Sequence, residues 1–154
     1  MAAFAPQPPP PPPVNTIAVN YNTITQTLTL NGDTNNNSLT ITKTGTSLLF
    51  QPSNGTSVTM STNNGAAGPL VTYAAITGFS GNLTVVGNLS DGNDSISLVG
   101  LPITKITLGL GAGNDSASLS LCTVTTCAMD GGTGTDTFAS PGSKITTNQN
   151  TNFP

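Results

Sequence analysis

Short runs of alternating apolar and polar residues recur along this chain, and in its second half they recur at a constant interval. In the runs 95–98 and 116–119 every second residue is apolar, which is the period of a β-strand. Shifting the sequence by 21 residues superimposes the runs and aligns apolar residues in three columns. These columns are Val85, Ile106 and Cys127; Ile96, Ala117 and Phe138; Leu98 and Leu119. Repetition at about 20 residues is typical of stacked coils. The chain is therefore predicted to be all-β, a parallel β-helix (β-solenoid) with about 21 residues per coil in the C-terminal half.

Glycine-rich turns separate the strands of this half, and each turn ends in an aspartate. The turns read SDGND, AGND and TGTD, and their aspartates are evenly spaced along the chain. A glycine lies two positions before each aspartate, and in two turns an asparagine lies between them. The residues of this pattern are Gly92, Asn93 and Asp94; Gly113, Asn114 and Asp115; Gly134 and Asp136. Stacked coils would place these turns directly above one another.

The pattern divides the chain into three parts. Residues 1–14 are proline-rich and predict an extended polyproline II tail, either a docking peptide or a spacer. Residues 15–140 predict the solenoid, with irregular coils over 15–80 and regular coils over 81–140. In the irregular part Asn37 is interpreted as the counterpart of the later aspartates. Residues 141–154 predict a frayed polar tail or the start of an incomplete coil.

Composition limits the classes of partner and location. Charged residues make up 6% of the chain, and the net charge of −3 comes without a basic cluster, which argues against binding to nucleic acid. The sequence contains no apolar stretch long enough for a transmembrane helix. Its Thr, Asn, Ser and Gly content is typical of an extracellular or cell-surface β-repeat protein, and a signal segment, if the protein is exported, has been removed or belongs to a longer chain.

The two cysteines, Cys122 and Cys127, allow two interpretations. An even number of cysteines in an extracellular composition favours a local disulfide between them. Alternatively both are small buried apolar residues, since Cys127 falls in an apolar column.

The last turn resembles the calcium-binding nonapeptide of RTX (haemolysin-type) repeat proteins. Residues 131–139 read GGTGTDTFA, residues 111–119 fit with one glycine exchanged, and residues 90–96 fit more loosely. The order of strand, G-N-D turn and strand is also similar to bacterial surface β-solenoid repeats. In the RTX family the nonapeptides are contiguous, whereas a longer segment separates them here; with about 21 residues per coil, each turn is still expected to lie directly above the previous one.

The resemblance implies calcium as a cofactor. Ca²⁺ prefers six to eight oxygen ligands, which carboxylates and turn carbonyls can supply. Two sites are predicted between successive turns, one from Asp94 and Asp115 and one from Asp115 and Asp136, with Asp91 and Asp130 adding charge or outer contacts. The predicted metal-binding residues of these turns also include Asn93, Asn114, Gly92, Gly113 and Gly134. The alternative is that G-N-D is only turn chemistry, in which Asp and Asn bond the backbone.

Three function classes are open at this point. The first is a non-enzymatic structural solenoid, a filament or adhesin module. The second is a carbohydrate-active β-helix enzyme. This class is disfavoured because no His, Arg or Glu is available as base, charge neutraliser or general acid, and the only aspartate pairs lie in the glycine turns. The third is a carbohydrate-binding module with a cell-surface polysaccharide as partner. For the first class, coil ends without visible caps predict head-to-tail self-association, because one end carries only the polyproline tail.

Overall fold

The computed structural model describes residues 14–63 and 65–154, and this part of the chain is all-β. Its strands are β1 (Thr16–Asn22), β2 (Thr27–Asn31), β3 (Ser38–Thr44), β4 (Ser47–Pro52), β5 (Ser57–Thr62), β6 (Ala74–Ile76), β7 (Leu83–Asn88), β8 (Ser95–Val99), β9 (Pro102–Gly109), β10 (Ser116–Ser120), β11 (Thr123–Asp130), β12 (Thr137–Ala139) and β13 (Lys144–Asn148). The polyproline prediction for residues 1–14 lies outside the described residues except for Val14, which is exposed.

The strands form two mixed sheets. The seven-stranded sheet has the order β13-β11-β9-β7-β2-β1-β5, and the six-stranded sheet has the order β12-β10-β8-β3-β4-β6. The chain passes from one sheet to the other through a turn and returns through a short connection, 100–101 or 121–122. The inward side chains of both sheets form one apolar core, because every second residue of strands such as β8 and β10 is buried.

The C-terminal strands pair in parallel at a constant offset: each residue lies opposite one that is 21 positions away in the sequence, the same separation as between Asp94 and Asp115. β8, β10 and β12 stack in this register, so that Ile96, Ala117 and Phe138 are neighbours. In the other sheet Val85 pairs with Ile106, which pairs with Cys127. The apolar columns predicted from the sequence are therefore confirmed. A register shift occurs between Leu83 and the next residue of β7. It places Leu83 opposite Ile103, so that this pair of core positions is apolar on both strands.

An earlier strand–turn–strand unit lies beside this stack. β2 pairs in parallel with β7, and β3 pairs in parallel with β8. In both strand pairs the paired residues are separated by the same number of positions in the sequence. Ser38 pairs with Ser95, which places Asn37 in the position that Asp94 occupies in the next unit. The interpretation of Asn37 as the counterpart of the later aspartates is thus confirmed.

The rest of residues 15–80 differs from the predicted irregular coils. β1 is antiparallel to β2, and β4 is antiparallel to both β3 and β6. The reason lies in the turns, since only Gly45 and Thr46 connect β3 to β4. So short a connection closes an antiparallel hairpin, whereas parallel pairing needs a much longer crossover.

These antiparallel strands cover one end of the stack. β1 lies against the edge of β2, and β4 lies against the edge of β3. The outermost strand β5 is in turn partly covered, because Val58 and Val71 form an antiparallel bridge. The expectation that only a polyproline tail protects this end is therefore wrong, and the cap went unrecognised because hairpin strands have the same alternation as coil strands.

Residues 141–154 continue the register at the opposite end. β13 pairs in parallel with β11 at the same offset as β11 with β9, and Thr151 bridges to Asp130. The rings of Phe138 and Phe153 pack with their centroids 5.7 Å apart. Residues 144–148 are therefore paired in the sheet and do not form a frayed tail.

Cys122 and Cys127 are both buried and both free, so the predicted disulfide is not formed. The thiol of Cys122 lies 3.2 Å from the carbonyl oxygen of Leu98, and that of Cys127 lies 3.3 Å from Asn150 Oδ1. The nearly extended chain between them spans about 16 Å, whereas a disulfide needs Cα atoms within about 7 Å. The alternative interpretation, two small buried residues of the core, is the one that holds.

Among the described residues there is no helix with the length and apolar character needed to cross a bilayer.

Candidate functional site in the glycine-rich turns

Four turns of equal length stack at one edge of the described structure, where the chain passes between the two sheets. They comprise residues 32–37, 89–94, 110–115 and 131–136. Backbone hydrogen bonds connect successive turns, such as Gly92 N–H to the carbonyl of Ala112 and Gly113 N–H to the carbonyl of Thr133, both 2.8 Å. The turns therefore form a column that runs along the stack, as the sequence predicts.

The glycine two positions before each aspartate is required by the closeness of this stacking. Gly92, Gly113 and Gly134 have φ values of 126°, 148° and 138°, which side chains rarely tolerate. A Cβ atom on Gly113 would overlap the carbonyl oxygen of Gly92, and one on Gly134 would overlap that of Gly113. The carbonyls of Gly92 and Gly113 thus point along the column at the next glycine.

The three aspartates point inward and hydrogen-bond the backbone of the neighbouring turn. Asp94 Oδ1 accepts the N–H of Asn37, Asp115 Oδ1 accepts the N–H of Asp94, and Asp136 Oδ1 accepts the N–H of Asp115, at 2.7–2.8 Å. All three side chains are at most 2% exposed. This inner ladder brings together the three residues that were predicted to form the two calcium sites.

The second oxygen of each carboxyl group in the inner ladder has no partner. Oδ2 of Asp94, Asp115 and Asp136 is buried, and no hydrogen-bond donor of the described residues reaches it. An unpaired carboxylate oxygen is costly in an apolar environment. Accordingly burial raises the pKa of Asp94 to about 7, and the negative charges of Asp115, Asp33 and Asp91 add to the rise. Burial also raises the pKa of Asp115, helped by the charge of Asp136.

Asn93 and Asn114 form a second, exposed ladder with Asn36 and Thr135. Asn36 Oδ1 accepts the N–H of Asn93, Asn93 Oδ1 accepts the N–H of Asn114, and Asn114 Oδ1 accepts the N–H of Thr135, at 2.7–2.9 Å. The two asparagines were predicted as metal ligands, but this structure uses their carbonyl oxygens for the backbone. The regular recurrence of Asn before Asp was the sequence signal for this second ladder.

Asp91 and Asp130 lie apart from the inner ladder. Both are exposed. Asp130 Oδ1 accepts hydrogen bonds from Asn152 Nδ2 at 2.6 Å and from the N–H of Gly132 at 3.1 Å. The bond from Asn152 holds the pKa of Asp130 below its usual value. Their predicted part in the calcium sites is thereby reduced to a contribution of negative charge at the surface.

The inner ladder offers a cation negative charge and unpaired acceptor oxygens. It offers fewer carboxyl groups at any one point than a site made of side chains alone would need. Buried Oδ2 atoms on successive turns are acceptors that lack a positive partner. However, within residues 14–63 and 65–154 no three acidic, cysteine or histidine side chains converge on one point. A calcium ion between two turns would therefore take one carboxyl group from each turn and complete its shell with backbone carbonyls and water.

Comparison of the chain with protein-family models, with curated proteins and with solved structures gives no match.

Gly113→Ala is expected to destabilise the protein by roughly 2–4 kcal/mol, because the added methyl group forces two turns apart and strains the backbone. Gly78→Ala is the matched control: its φ of 75° is also left-handed, but nothing lies within 4 Å of its Cβ position. Urea denaturation of both variants measures the difference. Equal losses for the two variants would show that close stacking is not what requires Gly113.

In the presence of a chelator, the free energy of unfolding is expected to fall as the pH rises from about 4 to about 7. A carboxyl group whose pKa is higher in the folded state favours the folded state at low pH, and this advantage is lost through its folded pKa, about 7 for Asp94. The fall should be roughly 2–4 kcal/mol. Denaturant titrations across this range measure it, and Asp94→Asn should flatten the curve. A wild-type stability that rises over the same range would contradict the prediction.

Proposed function

We propose that this chain is a non-enzymatic, extracellular or cell-surface β-solenoid module with a structural role, and that calcium stabilises its glycine-rich turns. The observation that carries the proposal is the inner ladder, in which Asp94, Asp115 and Asp136 repeat one hydrogen bond at equal intervals along the chain. A structure made of equivalent layers suits a rod or spacer, since each layer contacts only its neighbours.

The solenoid interpretation is supported by the offset between paired strands, which is the same in the two sheets. Parallel pairs with one and the same offset occur in the six-stranded sheet between β8 and β10 and in the seven-stranded sheet between β9 and β11. Offsets that agree in both sheets are expected when the chain winds around one core and gains one layer per turn. The antiparallel strands at the other end then act as a cap on the first coil.

Calcium is supported by the choice of aspartate over asparagine. The bond to the neighbouring N–H needs one acceptor oxygen, which an asparagine supplies at no charge, as Asn36, Asn93 and Asn114 do in the exposed ladder. A buried carboxylate adds a second oxygen and a negative charge that the neighbouring turns do not neutralise. That extra oxygen and charge are what Ca²⁺ binding requires.

The non-enzymatic interpretation is supported by the position of the carboxyl groups. The aspartates that neighbour one another, Asp94, Asp115 and Asp136, are buried and hydrogen-bonded to the backbone, so a substrate has no access to them. Hydrolysis of a glycosidic bond by paired carboxyl groups needs both of them in an open cleft.

The calcium part is tested by Asp115→Asn, because Asp115 belongs to both proposed sites. In chelator the variant should be at least as stable as the wild type, since a buried unpaired charge is removed. In calcium the wild type should gain about 2.7 kcal/mol when the free ion is at about 100 times its Kd, and the variant should gain much less. Asp91→Asn, an exposed position with the same charge change, is the control. Asp33 is unsuitable as a control because its carboxylate accepts bonds from Thr16, Asn35 and Asn37.

Thermal or urea denaturation with and without calcium measures these gains, and calorimetry measures uptake of the ion. If the wild type melts identically in calcium and chelator, the turns are held by hydrogen bonds alone, and the structural part of the proposal stands without the cofactor.

Self-association is proposed through the β12–β13 end, because at the other end Gly68 and Val71 already bond to the outer edge of β5. Within the described residues β12 and β13 each pair on one side only, which leaves backbone groups available to a second copy. Two copies that meet through the same end form a closed pair, not the head-to-tail filament expected from two open ends.

Sedimentation velocity at tens of micromolar is expected to show a monomer–dimer equilibrium. The N–H of Lys144 bonds the carbonyl of Cys122 on the inner side of β13, so the N–H of Ile145 faces the open edge. Ile145→Pro removes that outward donor and should shift the equilibrium toward monomer. A monomer at all concentrations would remove self-association from the proposal, and open-ended polymers would show that the covered end also associates.

A further inference from the structure

A polar cavity of about 570 Å³ opens beside the first turn of the stack. Its volume lies within the range of about 300–1,000 Å³ that is usual for ligand pockets. Most of its lining residues are asparagines, and none of its lining residues is charged; the asparagines are Asn15, Asn35, Asn36, Asn37, Asn54 and Asn93. Thr34 and Ser95 add two hydroxyl groups.

Parts of the chain that are far apart in sequence build this cavity. The first turn supplies residues 34–37, the next turn supplies Asn93, and the connection between β4 and β5 supplies Asn54. Asn54 adopts a left-handed conformation, with φ of 53°, which turns the chain toward β5. Asn15 precedes β1 and donates to the carbonyl of Asn36 at 2.6 Å, which ties the chain before the cap to the first turn.

Several of these polar groups are held in place while others are left available. Asn37 is 1% exposed and donates from Nδ2 to Asn15 Oδ1 at 2.6 Å and to Asp33 Oδ1 at 2.9 Å. The carbonyl oxygens of Asn36 and Asn93 are used in the exposed ladder. Within the described residues their Nδ2 groups, the amide of Asn54 and the hydroxyl of Thr34 make no hydrogen bond, so a rigid frame presents free donors and acceptors.

We propose that this cavity binds a neutral sugar unit, as a free saccharide or as part of a polysaccharide. An amide offers both a donor and an acceptor, and a hydroxyl group offers the same pair, so adjacent sugar hydroxyls match a wall of amides and hydroxyls. The lack of charge in the lining disfavours phosphate, carboxylate and ammonium ligands. The cavity is separate from the inner ladder, and the inference does not depend on calcium or on the structural role proposed above.

No aromatic residue lines the cavity, so binding rests on hydrogen bonds that replace those with water. The affinity for a single sugar unit should therefore be weak, with a Kd on the order of millimolar. Affinity of this kind becomes useful when a surface presents many copies of the ligand.

Saturation-transfer NMR of the full chain with glucose, galactose, mannose and N-acetylglucosamine, each at about 10 mM, tests the proposal at the expected affinity. At least one of them should give a signal that saturates. The variants Asn54→Gly and Thr34→Ala remove free groups from the lining, and glycine suits the left-handed φ at position 54. Each should weaken binding by about 3- to 10-fold, equivalent to the loss of one hydrogen bond.

Thr135→Ala is the matched control, since it removes an exposed threonine from a turn that does not line the cavity, and it should leave binding unchanged. A denaturation curve for each variant verifies folding. The proposal is overturned if none of the four sugars binds, or if binding is equally strong in the two cavity variants and the control. Glucuronic acid serves as a charged comparison, and preferential binding of that acid would also overturn it.

Discussion

The structure depends on hydrogen bonding of the backbone N–H groups that the turns bury. Where the chain leaves one sheet for the other, the regular strand pairing stops, and a buried N–H without an acceptor would cost about as much as a lost hydrogen bond. The carboxylate of the next turn accepts it, from Asn37 to Asp94, from Asp94 to Asp115 and from Asp115 to Asp136. Each turn is therefore complete only when another turn lies beside it, which ties the geometry of the turns to the spacing of the strands.

The two ladders run in opposite directions along the column. In the inner one the later residue supplies the oxygen, as Asp115 does for Asp94, whereas in the exposed one the earlier residue supplies it, as Asn93 does for Asn114. Together they hold both sides of each turn to its neighbour, and glycine at positions such as 113 permits the approach. The aspartate position also combines fold and candidate chemistry in one side chain, because one oxygen satisfies the backbone and the other is left without a partner.

The C-terminal half was predictable from the sequence because the repeat can be read directly from the order of apolar, glycine and aspartate residues. Apolar positions that alternate along the chain and recur at a fixed interval between layers specify both the strand and its neighbour, and Asn37 could be placed from the same pattern. The N-terminal half was not predictable in this way, since β1 and β4 have strand alternation but their pairing direction is decided by turn length and by what edge is free. The cavity was out of reach as well, because Asn15, Asn54 and Asn93 come from distant parts of the chain.

The inner ladder also couples the length of such a stack to its electrostatics. A duplication of one whole repeat unit would reproduce every hydrogen bond of the column, so gain and loss of whole units is geometrically easy, whereas an insertion of any other length would misalign both ladders. Yet each added unit would place one more carboxyl group in the interior, and the repulsion between them grows with every layer. A longer version of this architecture therefore needs protons or cations in proportion to its number of layers, so the acidity and the ion content of the surroundings limit how many layers such a stack can have.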